Sequence, residues 1–478
     1  MTTLKPRPAY SDEELANLYP PNLQLQQVQL ILRHGERTPV NGRFKNAGLP
    51  ANWPYCEAAK NFKDVILSAD RSWDKLHWRR RLETFGAGDS PTTLALGERT
   101  RRLYVDQLGF LPKTLQSDGT VYLRATPIQR ALESVQQAFT GLYPSSARAS
   151  DFQPPDIVTR SFQDETLFPN EGGCKRFAEL SAAFADRAAK LWNDSPEMAY
   201  INRRIGKWMP EKSPVIKVDS HPRLSGIMDS VNATLAHGPS TKLPKEFYDE
   251  KVVSNIDRIC REEWFAGYQE SQEYRALGIG GLVGDVTQRM VDKAIGTTRP
   301  ETVALMSLSG CHDTTLAGLL TALGAFEYSK NKWPNFTSSI AVELFQRKDT
   351  TTASNTKTAS NVLPTSTSWW SSFFSTKSAS TVPTARLPLS ELPASKKQDL
   401  DGYFVRLRYN DTPMTIPNCR QAGKHLKGDE SFCTLAAFKE VADEFTPRNW
   451  KEQCMSNLGK PAMKPVIERP LGVAGEVI

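Results

Sequence analysis

Residues 23–32 read LQLQQVQLIL, an apolar–polar alternation that becomes almost wholly apolar at its end. Period-two alternation specifies a strand, and the apolar close suits a strand entering a sheet covered on both faces. Residues 121–124 (VYLR) predict a second short strand, and ETVALMSLSG holds a third over residues 302–308. Helical spacing follows the second and third. Ile128, Leu132, Val135, Phe139 and Leu142 recur every three or four residues until Pro144 stops the pattern. Leu316, Leu319, Leu320 and Leu323 share one helix face, with Gly324 as its cap. PTTLALGERTRRLYVDQLGF predicts another helix, opened by Pro-Thr-Thr and closed by Gly109. Residues 339–345 (SIAVELF) and 402–409 (GYFVRLRY) alternate like two antiparallel strands.

Strands alternating with helices place the chain in the α/β class. The expected division is an N-terminal tail (1–22), a first part of an α/β core (23–149), a mostly helical cap insertion (150–298), a second part of the core (299–346), a Ser/Thr-rich insert (347–399), and a core hairpin strand with the C-terminal region (400–478). Residues 41–90 are irregular and rich in Trp and Arg, with no clear element. Residues 350–398 are over a third Ser and Thr, a composition that predicts disorder. They carry Lys357, Lys377, Arg386, Lys396 and Lys397 against Glu391 alone. More than half of the net charge of +7 lies there, so that charge says little about any site. Trp369, Trp370, Phe373 and Phe374 sit among these basic residues. Such a patch suits peripheral contact with a lipid surface or a partner, or folding back on the domain.

A chain of 478 residues is long enough for one large domain or two smaller ones. No apolar run of about 18 residues appears, so no membrane-spanning helix is expected. The first residues lack a signal-peptide core, and Asp12, Glu13 and Glu14 argue against a transit helix. The expectation is an intracellular protein of cytoplasm or mitochondrion. Its Cys residues (56, 174, 260, 311, 419, 433 and 454) are scattered, without CxxC spacing, which removes the zinc-ribbon reading. Reduced thiols are the default inside cells; Cys419 and Cys433 would pair in an oxidising compartment. There is no P-loop, GxGxxG, EF-hand loop or HExxH, and no basic stripe interleaved with aromatics outside the insert. Neither a metal, a cofactor nor nucleic acid is called for.

Candidate chemistry gathers where strands end. LILRHGERTPV puts Arg33, His34 and Arg37 after the first strand; Arg124 ends the second; His312 and Asp313 follow the third. In α/β folds ligands bind outside the carboxyl ends of the strands, so these residues can meet. Three guanidinium groups and a His suit the several anionic oxygens of a phosphate. A neutral His can attack phosphorus, and an acid such as Asp313 can protonate the leaving oxygen. Glu36, inside the cluster, is expected to pair with a neighbouring Arg rather than line the pocket mouth.

Arg33-His34-Gly35-Glu36-Arg37-Thr38-Pro39 has five fixed positions, with roughly 1 chance in 10,000 of accidental occurrence in such a chain. It resembles the signature of the histidine acid phosphatases, branch two of the histidine phosphatase superfamily. RATPIQR, His312-Asp313-Thr314-Thr315-Leu316, the helix around Gly97 and Gly109, and the Glu343/Arg408 hairpin are similar as well. The resemblance covers residues 23–410, apart from the insert. It implies a phosphoglycerate-mutase-like three-layer sandwich with a helical cap, and an acid phosphatase acting on small phosphate monoesters. It further implies a transient phosphohistidine at His34, phosphate held by Arg33, Arg37, Arg124 and His312, and proton donation by Asp313. SFQDETLFPNEGGCKRF and IMDSVNATLAHG resemble the lysophosphatidic acid phosphatase subgroup. The apparent lack of a signal peptide and disulfide framework counts against a secreted phytase. Two alternatives stay open: a phosphatase or mutase of sugar or inositol phosphates, and a catalytically silent membrane- or partner-binding protein.

Overall fold

A computed structural model describes residues 8–49, 53, 91–116, 119–238, 241–297, 299–348 and 383–463. In chain order, its main elements begin with α1 (Asp12–Leu18), β1 (Leu23–Arg33), α2 (Pro91–Arg101), β2 (Val121–Ala125), α3 (Gln129–Leu142) and β3 (Ile157–Val158). A helical stretch follows: α4 (Lys175–Trp192), α5 (Pro196–Ile205), α6 (Leu224–His237), α7 (Glu250–Glu270) and α8 (Gly281–Ala294). The chain then returns to the sheet through β4 (Met306–Cys311), α9 (Asp313–Ala322), β5 (Ser339–Arg347), β6 (Tyr403–Tyr409), β7 (Thr412–Met414), β8 (His425–Leu426), β9 (Asp429–Thr434) and α10 (Leu435–Asp443).

The sheet order is β3-β2-β4-β1-β5-β6-β9-β8, with β7 on β6. β3, β2, β4 and β1 run parallel, and β5 pairs antiparallel with both β1 and β6. Alternate side chains of the strands feed two cores. Val28, Leu30, Leu32, Val121 and Leu123 join α2 and α3 on one face; Ile31 joins α9 and helices α4 to α8 on the other. Three layers result. Two polar positions of β1, Gln27 and Gln29, are buried: Gln29, 1% exposed, donates to the Val286 carbonyl and accepts from Arg289, both on α8. α2 and α3 pack closely because each carries a glycine at the crossing. A Cβ on Gly97 would meet the Ala138 carbonyl oxygen at 2.1 Å, and one on Gly141 would meet that of Leu94 at 2.3 Å.

Four expectations change. The third strand starts later than residue 302, because Pro300, at home in a first helical turn, opens the short helix Pro300–Val303. Residues 8–22 of the expected tail are ordered against the sheet: α1 is opened by a Ser11/Glu14 capping box, Tyr10 is buried, and Tyr19 donates to Glu343. Residues 383–399 of the insert are packed, since Ala385 and Leu392 bury into the core and Arg386 pairs with Asp285 at 2.6 Å. Trp369, Trp370, Phe373 and Phe374 lie outside the described residues, as do most of residues 41–90. Finally, Cys174 is bonded to Cys454 and Cys419 to Cys433. Disulfides are rare in reducing compartments, so the reduced-thiol expectation is corrected and the intracellular one loses that support. No helix among the described residues is long and apolar enough to cross a membrane.

Glu343 anchors the hairpin end of the sheet. It is fully buried and accepts from Tyr19, Tyr104, Arg406 and Arg408. Burial alone would raise its pKa, but Arg406 and Arg408 outweigh that and hold it at about 2. The folded value lies below the unfolded one, so the stabilisation is present above about pH 4 and is lost only as pH falls through the folded value.

Candidate active site

The register of the parallel strands brings three chain ends to one edge. Arg33 lies opposite Cys311, and Ala125 opposite Gly310. The His34 N–H donates to the Cys311 carbonyl at 3.0 Å, and the Thr126 N–H to that of Gly310 at 3.1 Å. The residues after β1, β2 and β4 therefore start from a fixed ladder.

His34 is 1% exposed, and its ring Nδ1 lies 2.8 Å from the Gly35 carbonyl oxygen. A carbonyl only accepts, so Nδ1 carries the proton and Nε2 keeps its lone pair. Burial, then Arg130, Arg37 and Arg33, hold the His34 pKa well below its usual value, so the ring is neutral. The His312 ring sits edge-on at 5.5 Å between centroids. Its Nε2 is 3.1 Å from the Thr126 hydroxyl and its Nδ1 3.4 Å from Arg130 Nη2. Arg130 only donates, so Nδ1 accepts and Nε2 carries the proton. Burial, then Arg130, also keeps this ring neutral.

Arg33 stacks on the Phe336 ring at 4.1 Å and pairs with Asp313 at 2.9 Å. Asp313 opens α9, accepts from the Trp333 indole N–H at 2.9 Å, and also receives the Thr314 N–H. Burial raises its pKa, but Arg33 and the Trp333 N–H prevail and hold it at about 2. Arg37 donates to the Thr38 carbonyl and to Asp229 of α6. Phe336 and Phe168 wall the two histidines.

Arg130 was not among the residues expected here. It lies in the first turn of α3, and burial, then the nearby Arg37, pushes its pKa down to about 10. Ser134, one turn on, donates to the Arg130 carbonyl and accepts from the Gly35 N–H, tying α3 to the His34 loop. Arg33, Arg37 and Arg130 thus converge on the two histidines, each lowering the His34 pKa. Like charges this close favour an anion with several oxygens.

Arg124 is not part of this cluster, which corrects the sequence expectation. Val121, Leu123 and Ala125 face the α2/α3 core, so Arg124 projects to the opposite face of the sheet. There it pairs with Glu165 at 2.6 Å and Asp285 at 3.2 Å, both buried. Glu36 is also corrected: its carboxylate accepts from the Thr92 hydroxyl, and no Arg pairs with it among the described ion pairs. Among the described residues no group of three His, Cys, Asp or Glu could hold a metal ion.

A buried, neutral histidine amid converging guanidinium groups, at the carboxyl edge of a three-layer sheet, is an arrangement suited to phosphate chemistry. The histidine phosphatase superfamily (branch 2) model matches residues 24–361. A probable acid phosphatase of Schizosaccharomyces pombe is 35% identical over 459 residues, covering 91% of this chain and 95% of that protein. Lysophosphatidic acid phosphatase type 6 of Homo sapiens is 26% identical over 352 residues, 68% of this chain and 74% of that one. Among solved structures, Hafnia alvei phytase in complex with tartrate superposes with a TM-score of 0.54 at 12% identity, covering 91% of this chain and 99% of its own. Bifidobacterium longum multiple inositol polyphosphate phosphatase with phosphate gives 0.52 at 12% identity, covering 94% and 98%. These two likenesses establish the fold. The chain belongs to the histidine phosphatase superfamily, branch 2, and is an acid phosphatase of the kind that works through a covalent phosphohistidine.

Proposed function

We propose that His34 is the nucleophile, that Arg33, Arg37, Arg130 and His312 hold the phosphoryl group, and that Asp313 protonates the leaving oxygen. The carrying observation is the His34 ring, neutral and with its Nε2 lone pair free beside three guanidinium groups. Nε2 attacks phosphorus, the ester P–O bond breaks, and the leaving oxygen takes a proton from Asp313. Water then attacks the phosphohistidine, giving its proton to the Asp313 carboxylate, and inorganic phosphate leaves. Asp313 is ionised in the empty site. A phosphate ester supplies what it needs: it satisfies Arg33 as a counter-ion, and its monoanion, abundant below a second pKa of about 6, brings the proton.

Arg130 and Arg124 separate by variant. Arg130→Ala is expected to lower kcat/KM for p-nitrophenyl phosphate by roughly a hundredfold, the worth of one charge-assisted pair, with little change in stability. Arg124→Ala is expected to cost about 3–5 kcal/mol of stability, because the buried Glu165 loses its partner, whereas Asp285 keeps Arg160 and Arg386. Steady-state kinetics beside urea unfolding checks both. Weaker phosphate handling in Arg124→Ala at unchanged stability would reverse the assignment.

For the substrate we propose a phosphomonoester with an apolar leaving group, lysophosphatidic acid being the example. Phe168, Phe336 and Trp333 wall the site, which suits such a group, and Arg43, the next cation along the loop, is already engaged by Asp229. The similarity to the Homo sapiens lysophosphatidic acid phosphatase supports the same reading. Phosphate release from a panel of lysophosphatidic acid, sugar phosphates, phosphotyrosine and phytate tests it. The expected kcat/KM is highest for lysophosphatidic acid; phytate in first place would favour the inositol-phosphate reading.

A further inference from the structure

Besides Asp313, a second carboxylate sits against the cations of the phosphate site. Asp229, on cap helix α6, accepts from Arg37 Nη1 on Oδ1 at 2.7 Å. Its Oδ2 accepts from the Val40 N–H at 2.8 Å and from Arg43 Nη1 at 3.3 Å. One acid therefore bridges two arginines of the loop that follows His34. α6 is shaped for this contact one turn earlier. A Cβ on Gly226 would lie 2.9 Å from Arg43 Nη2 and 3.0 Å from its Cζ and Nε, so the guanidinium rests on bare backbone. An acid in an anion site has a cost: it competes with phosphate for Arg37. It also has a use, since it fixes a buried guanidinium that would otherwise lack a counter-ion when the site is empty.

We propose that Asp229 is a cap-borne counter-ion: it positions Arg37 in the empty site and yields that guanidinium to the phosphate of the substrate. The proposal rests on Arg37 being a phosphate ligand. Asp229 keeps the Val40 N–H and Arg43 when Arg37 turns to phosphate, so the exchange strands no buried charge. The competition weakens phosphate binding, which aids release of the product. Asp229 is thus a positioning residue that sets affinity, and it takes no part in bond making.

Calorimetric binding of inorganic phosphate to the full chain tests this, with thermal unfolding recorded for each variant. Asp229→Asn is expected to bind phosphate roughly tenfold more tightly, because a charge-assisted competitor becomes a neutral one. KM should fall with it. A merely structural role would loosen binding, since Arg37 would lose its support, so unchanged or weaker binding in Asp229→Asn overturns the proposal. Gly226→Ala approaches the bridge from the other side and stands in if Asp229→Asn does not fold. Its Cβ displaces Arg43, leaves Asp229 to Arg37, and is expected to weaken phosphate binding severalfold; unchanged binding overturns the proposal. A wild-type protein that binds no phosphate would overturn both this exchange and the reading of the site, whereas normal wild-type binding with unresponsive variants sinks the exchange alone.

Discussion

His34→Ala lowers kcat for p-nitrophenyl phosphate by about a thousandfold or more, while affinity for inorganic phosphate stays within about threefold. The two readouts part because attack and binding use different groups. Attack needs the Nε2 lone pair, which no other side chain of the cluster offers: Nδ1 of His312 faces Arg130, and its Nε2 faces Thr126. Binding relies on Arg33, Arg37 and Arg130, whose partners Asp313, Phe336 and Asp229 are untouched by the substitution. The fold should survive, because the His34 side chain contributes one hydrogen bond, to the adjacent carbonyl. Wild-type turnover in a folded His34→Ala protein would remove the nucleophile from the account.

Asp313→Asn has the second large effect, and its size depends on the leaving group. An alkyl phosphate should slow by about 10²–10⁴-fold, whereas p-nitrophenyl phosphate, whose phenolate leaves without help, should slow far less. Equal slowing of both would mean that Asp313 only orients Arg33. The carboxyl is held at about 2, chiefly by Arg33 against the opposing effect of burial. Its folded value is below the unfolded one, so the Arg33–Asp313 pair stabilises the protein above about pH 4 and fades only as pH falls through the folded value. The empty site therefore stays assembled in acid, where phosphate monoanions are available to bring the proton.

Periodicity carried the architecture well where one face of an element meets a core. Ile128 to Leu142 reads as a helix and folds as α3, and residues 121–124 as a strand that extends to Ala125. Arg33, His34, Arg37, His312 and Asp313 do come together at the carboxyl edge of the sheet, where their places at or just beyond the ends of β1 and β4 put them. Arg124 misled for a physical reason. It lies inside a strand, where alternation decides its face, and that face leads to Glu165 and Asp285. Arg130 had a signal that was available: a helix following a strand puts its first turn at the carboxyl edge of the sheet, and Arg130 and Ser134 stand off the apolar stripe of α3. Asp229 had none, being 192 residues from Arg37 on an inserted helix. The Cys174–Cys454 bond, spanning 280 residues, is likewise a product of tertiary packing.

On the proposed route, phosphate passes through His34. The direct measurement is to mix enzyme with a radiolabelled phosphate monoester, quench within milliseconds in alkali, where phosphohistidine survives, and map the labelled peptide. The account predicts label on the peptide holding Arg33-His34-Gly35, none in His34→Ala, and loss of the label on a chase with unlabelled substrate. Label on another residue, or turnover without any bound label, would contradict it.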